Sequence, residues 1–196
     1  MKKMFEKQNY YNSLSNIVSN RIICGWCDSI ISPNKGYQVD YRFSPYSNEK
    51  SAAGYIYVCP NCNQLIMFNS MTRETFPSNK FGRKINKLPL EIEQIYNEIR
   101  ECYAVNAYTS VVLLARKLLM HIGVQEGAEE NKKFIYYVDY LNDNHLVPPK
   151  SKGILDMIRK EGNEANHEIV IKTKEDAEHI ISLVEIILLF LYEFAD

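Results

Sequence analysis

The amino-acid sequence predicts an α+β chain: a small N-terminal β module followed by an all-helical domain. Three observations predict it. Two C-x-x-C pairs, ICGWCD and VCPNCN, bracket a stretch that alternates apolar and polar residues. From Pro89 onward the apolar residues recur at three-to-four spacing. Between them, residues 70–88 contain Pro, Gly, Ser and Asn without sustained periodicity. The expected organisation is an arm or short helix over 1–20, the β module over 21–69, a linker over 70–88 and the helical domain over 89–196.

In the β module, Tyr37, Val39, Tyr41 and Phe43 alternate with Gln38, Asp40 and Arg42, the pattern of a half-buried strand. Gly54–Cys59 and Gln64–Phe68 read as two more strands, and the stretches 32–36 and 44–54 read as turn and loop material.

The two C-x-x-C pairs, Cys24/Cys27 and Cys59/Cys62, are separated by 31 residues. Each is preceded by an apolar residue and followed by Asp28 or Asn63, so they read as two copies of one turn. The residue after such a turn adopts a left-handed backbone, which Asp and Asn tolerate best among non-glycine residues. Two such turns supply four soft ligands, which matches one structural zinc ion per chain held by Cys24, Cys27, Cys59 and Cys62. Four thiolates leave no open position on the metal, so this zinc holds the fold and takes no part in catalysis. The competing reading, a redox pair at Cys24 and Cys27, leaves the second motif unexplained. Cys102 stands alone in a helical segment and reads as a small buried hydrophobe.

Charge is unevenly distributed. Residues 1–86 carry 11 Lys+Arg against 5 Asp+Glu, net +6; the remainder carries 12 against 19, net −7, which together make the overall −1. The β module and the linker also interleave aromatics with cations, the composition used for base stacking and phosphate neutralisation. Arg42, Lys80, Arg83 and Lys84 are therefore candidate contacts to RNA or DNA. The same aromatics must also supply the core of so small a module.

The helical domain is expected to have helices near 89–104, 106–123, 131–143, 150–161 and 174–194. Ile92, Ile95, Tyr96 and Ile99 mark the first, and Val111, Val112, Leu114, Leu118 and Leu119 the second. The last helix is apolar nearly all round, which calls for full burial or a seam shared with another chain. Its apolar run, Ile180 to Phe194, is shorter than the roughly 20 residues that cross a bilayer and contains Glu185 and Glu193, so no membrane segment is expected. The N-terminus has no apolar run of signal-peptide type, and a cytoplasmic protein is expected. His121, His145 and His179 have no ligand spacing and read as surface or packing residues.

The segment LPLEIEQIYNEIRECYAVNAYTSVVLLARKLLMHIGV, the later block LDMIRKEGNEANH and the apolar terminal helix carry a resemblance. They resemble the domain of unknown function family 4145, a helical group similar to the HEPN superfamily of prokaryotic nucleases and nucleotide-binding proteins. The resemblance implies a HEPN-like helical bundle that homodimerises and serves a prokaryotic defence or restriction system, associated with nucleic acid. It further implies, as the alternative to an interaction module without catalysis, a metal-independent endoribonuclease. In that alternative Arg159 stabilises the phosphorane, His167 acts as general acid or base, and Asn163 positions the phosphate or the histidine. Seven residues separate Arg159 from His167, more than the HEPN pattern has, which favours the reading without catalysis.

Overall fold

In the computed structural model, described for residues 14–42, 50–147 and 170–194, the chain divides into two units, Met1–Lys80 and Phe81–Asp196. The first is β and carries the cysteines, and the second is helical, so the α+β class expected from the sequence is observed. The stretch 70–88, expected as a linker, is divided between the two units at Lys80.

Seven strands lie among the described residues of the first unit: β1 (Ser15–Asn16), β2 (Ile22–Ile23), β3 (Ile30–Ile31), β4 (Lys35–Arg42), β5 (Lys50–Val58), β6 (Leu65–Asn69) and β7 (Thr75–Phe76). Five form an antiparallel sheet in the order β1-β4-β5-β6-β7, and β2 pairs with β3 in a separate hairpin. Two expectations are corrected here. Residues 15–16, read as part of an arm or helix, pair with Gly36 and Lys35 as an edge strand. Residues 50–54, read as loop, extend β5, because their backbone groups find partners along β4. Residues 1–13 and 43–49 lie outside the described residues.

Register decides which face of the sheet is the core. Gln38, Tyr55, Phe68 and Thr75 are aligned across β4, β5, β6 and β7, and Tyr57 lies opposite Ile66. That side carries Tyr55, Tyr57, Ile66 and Phe68, which bury against Ile22 and Ile31 of the small hairpin. Tyr55 and Tyr57 stack with ring centroids 5.4 Å apart. The Tyr57 hydroxyl donates to the Val18 carbonyl at 2.7 Å and accepts from the Asn20 amide at 2.6 Å, so the phenol enters the core with its polar end satisfied.

The opposite face carries a second aligned row, Tyr37, Ile56, Met67 and Phe76. On β4 that face continues through Val39 to Tyr41, since alternate residues of a strand share a side. Across from them β5 carries a bulge: Val39 pairs with Gly54 but Asp40 with Ala52, leaving Ala53 as the extra residue. Tyr37 is 43% exposed, Tyr41 54%, Met67 51% and Phe76 43%. The half-burial expected for β4 is thus corrected. Its aromatic side faces away from the core, and its core-side positions are Gly36, Gln38 and Asp40, of which Gln38 and Asp40 are exposed and hydrogen-bonded to each other.

The second unit contains α1 (Leu90–Ala104), α2 (Tyr108–Gln125), α3 (Phe134–Asp143) and α4 (Lys174–Leu188), which continues as a π-turn over Leu189–Glu193. These agree with four of the five expected helices. The fifth, near 150–161, lies outside the described residues. Helix α2 is central and packs on α1, α3 and α4. α4 starts at a capping box, with the Thr173 hydroxyl accepting from Asp176 N and the Asp176 carboxylate accepting from Thr173 N. The helices before it end in left-handed residues, Asn106 after α1, Gly127 after α2 and His145 after α3, so His145 is a helix terminator. α4 turns Ile180, Val184, Ile187 and Leu188 inward to full burial.

Residues 81–88 are strapped onto this bundle. Ile85 is buried in its core. The buried Arg100 donates from Nε to the Phe81 carbonyl at 3.1 Å and from its terminal nitrogen to the Gly82 carbonyl at 2.7 Å. Glu193, placed by the π-turn, accepts from the Arg83 guanidinium at 3.0 Å and from Asn86 N at 2.9 Å. Among the described residues, no helix is long and apolar enough to cross a membrane.

Candidate metal centre

Each C-x-x-C motif is the turn of a β-hairpin, the first between β2 and β3 and the second between β5 and β6. The two turns have the same hydrogen bonds. Cys24 N donates to Ser29 O and Asp28 N to Cys24 O, each at 2.9 Å; Cys59 N donates to Gln64 O and Asn63 N to Cys59 O, also at 2.9 Å. Asp28 and Asn63 have φ of 60° and 58°. The expected left-handed residue after each turn is present in both. No helix follows Cys27, so the first motif lacks the strand-to-helix setting of a redox pair.

The four sulfurs converge. Cys24 Sγ lies 3.7 Å from Cys62 Sγ, Cys27 Sγ lies 3.8 Å from Cys59 Sγ, and all four are within 4.8 Å of one another. A disulfide would bring two sulfurs to about 2.05 Å, and all five cysteines of the chain are free. Four sulfurs at about 2.3 Å from a tetrahedral ion stand roughly 3.8 Å apart. The cluster has the dimensions of a four-thiolate metal shell before any adjustment.

The surroundings hold the shell and tune it. Asn61, inside the second turn, donates its amide to Cys27 Sγ at 3.5 Å and to the Ser29 hydroxyl at 2.7 Å, tying one turn to the other. Cys62 N points at Cys59 Sγ at 3.5 Å. Burial pushes the Cys24 thiol far above its usual range and the Cys62 thiol up to about 11. Burial acts in the same sense on Cys27, but hydrogen bonds from Ser29 and Asn61 outweigh it and bring that thiol down to about 6. A cation binding here would meet a ready thiolate at Cys27 and would have to displace the protons of Cys24 and Cys62.

Gly25 is required by packing. A Cβ there would lie 2.3 Å from the Ser78 carbonyl oxygen and 2.6 Å from that of Pro77, so the segment after β7 runs directly over the first turn. Lys80 reinforces the same contact by donating its ammonium to the Trp26 carbonyl at 3.0 Å, while the Trp26 indole donates to the Leu65 carbonyl at 2.9 Å.

A family model described as Domain of unknown function (DUF4145) matches residues 97–196, 100 of the 196 residues. The chain belongs to the DUF4145 family. Comparison with curated proteins and with solved structures brings no match. The DUF4145 match covers the helical unit from within α1 onward and leaves the cysteine cluster outside it.

The other candidate residues are distributed as follows. Arg42 ends β4, with its backbone opposite Lys50. Lys80 belongs to the first unit; Arg83 and Lys84 belong to the second. Lys84 is exposed, whereas Arg83 is bound to Glu193 and its backbone N donates to Glu185 at 3.0 Å. Arg159, Asn163 and His167 lie outside the described residues. Of the aromatics of the β module, Tyr55 and Tyr57 are core residues, Tyr37 and Tyr41 are on the exposed face, and Phe43 and Tyr46 lie outside the described residues. Sequence reasoning missed Asn61 and Ser29 as supports of the shell, although the Asn inside the second motif was a signal. It also missed Met67 and Phe76 on the exposed face, which only strand pairing brings beside Tyr37.

Proposed function

We propose that this chain is a nucleic-acid-associated interaction module without catalysis of its own, in which a zinc ribbon is joined to a HEPN-like DUF4145 domain. The observation that carries this reading is the closed shell of four sulfurs in a basic unit. Its soft donors and dimensions suit zinc, and its fourth position is occupied by protein. The metal therefore supplies folding free energy and the ribbon supplies a surface. Residues 1–80 carry 9 Lys+Arg against 5 Asp+Glu, a net +4 that favours a polyanion. Free thiols suit the reducing cytoplasm. The resemblance of the helical domain to HEPN proteins supports the rest of the reading: two copies pair through their helical domains and serve a prokaryotic defence or restriction system.

Three measurements on the full-length protein test this. Elemental analysis should find one zinc per chain. Binding of single-stranded RNA or DNA should weaken steeply with salt. Mixed RNA should remain intact through prolonged incubation with the protein. RNA cleavage that is lost in His167→Ala would replace this reading with the ribonuclease one, with Arg159 and Asn163 in the supporting roles.

A further inference from the structure

We propose that the face of the five-stranded sheet turned away from the zinc shell is a stacking platform for a short single strand of nucleic acid. Tyr37, Tyr41 and Phe76 receive the bases, Met67 fills the floor between them, and Lys35 faces the phosphates at one end. The proposal rests on the nucleic-acid reading above and locates its site.

Four features favour this occupant. The first is exposure. Tyr37, Val39, Tyr41, Met67 and Phe76 are about half exposed on a sheet whose other face already supplies the core. Two strand spacings of about 4.8 Å separate Tyr37 from Met67, and a third reaches Phe76. Tyr41 is four residues from Tyr37 along the same side of β4, about 13 Å at strand rise. Rings spaced in this way can each take one base of an extended strand, as sheet-based RNA modules do.

The second is charge. At the strand positions of this face, Asn16, Lys35, Ser51 and Asn69 accompany the apolar residues, and no carboxylate is present. The acidic residue of β4, Asp40, is on the other side, bound to Gln38 and to Lys50. At those strand positions a polyanion therefore meets no like charge; Glu74, whose carbonyl accepts from Asn69 N, flanks them, and residues 1–80 carry a net +4.

The third is area. Five half-exposed side chains of this size offer on the order of 500 Å². That is a large apolar patch for a surface left to water. It is less than the roughly 800 Å² per partner of a stable protein interface. A few stacked nucleotides fit it better than a second copy of the chain.

The fourth is shape. Gly54 lies between Val39 on β4 and Asn69 on β6 and leaves the centre of the face without a side chain. A Cβ there would be 2.4 Å from the Phe68 carbonyl oxygen, so β5 and β6 also approach closely at this position. The result is a shallow trough between the aromatic row and Tyr41.

The test uses the zinc-loaded full-length chain and a short fluorescein-labelled oligouridylate, read by anisotropy. Tyr37→Ala, Tyr41→Ala and Phe76→Ala should each weaken binding roughly 10-fold or more. Tyr41→Phe should retain affinity and Tyr41→Leu should not, because leucine keeps the apolar area and loses the ring. Zinc content and far-UV circular dichroism should remain unchanged throughout, since these side chains are outside the core. Tight binding that none of the alanine variants weakens overturns the platform and leaves the nucleic-acid reading standing. Absence of binding by the unmodified chain at low salt overturns both. Sedimentation showing that Tyr41→Ala and Phe76→Ala convert a dimer to a monomer assigns the face to a second copy and also overturns the proposal.

Discussion

The helical unit buries 22 described residues in one cluster around α2, whereas the core cluster of the ribbon has only nine described residues, three of them cysteines of the four-sulfur cluster. A bundle with Val111, Ala115, Leu119 and Ile122 fully inaccessible has its cohesion from apolar area and packing. Six apolar side chains cannot do the same for a seven-stranded module, because a core that small leaves most of its strands half exposed. On the zinc reading proposed above, the ribbon depends on its metal, and it can expose an apolar sheet face that the bundle would have turned inward.

The largest test of this contrast removes the metal. Structural zinc contributes about 10–16 kcal/mol to small domains, so Cys59→Ser or a strong chelator should unfold residues 21–69. The helical signal in far-UV circular dichroism should persist, and elemental analysis should fall from one zinc to none. Ribbon strands that persist in the metal-free protein, read by amide hydrogen exchange, would show that its own core suffices. Acid should act like the chelator. Protons compete with a cation for thiolate ligands, so bound zinc should be retained at neutral pH and released as pH falls, read by elemental analysis after dialysis.

The reciprocal change is Leu119→Ala. It removes a fully buried side chain of α2 and should cost about 2–5 kcal/mol. Thermal melting should show the helical transition moving down while bound zinc stays constant. Loss of zinc in that variant would mean that the two units do not fold separately.

Alkaline pH provides a gentler separation. Burial, followed by the negative charge of Glu185, pushes the Tyr96 phenol above its usual range; burial, followed by the hydrogen bond to Glu178, does the same for Tyr103. A folded chain that holds these protons more tightly is stabilised below the ordinary tyrosine pKa of about 10 and loses that stability as pH rises beyond it. The bundle should melt in this range, and the double variant Tyr96→Phe, Tyr103→Phe should melt at higher pH. The smallest effect belongs to Glu193→Gln. It weakens the Arg83 pair, whose arginine is half exposed, by about 1 kcal/mol or less. Its clearest sign should be faster hydrogen exchange at Asn86 N.

How much of the molecule was legible in advance depended on the range of the forces involved. Helices α1 to α4 were readable to within a few residues, because a 3.6-residue apolar period and a cap such as Thr173 are written in consecutive positions. The metal shell was readable for the same reason. Each C-x-x-C turn closes on itself, and Asp28 and Asn63 mark its end. The short strands β1, β2, β3 and β7 were not readable, since two residues have no period and their pairing partners are distant in sequence. The alternation in β4 is legible as an alternation, without saying which side is covered. A two-residue period says that the faces differ, not which face the rest of the protein covers.

The local chemistry of the chain thus announces four cysteines fit for one ion and a helical domain of the DUF4145 family. Folding in three dimensions settles what no stretch of residues contains. Tyr55 and Tyr57 enter the core while Tyr37 and Tyr41 face outward, Phe76 comes to lie beside Met67, and Arg83 is bound to a carboxylate 110 positions away. Those outcomes follow from strand register and long-range pairing, whose free energies depend on partners brought together only when the chain has closed.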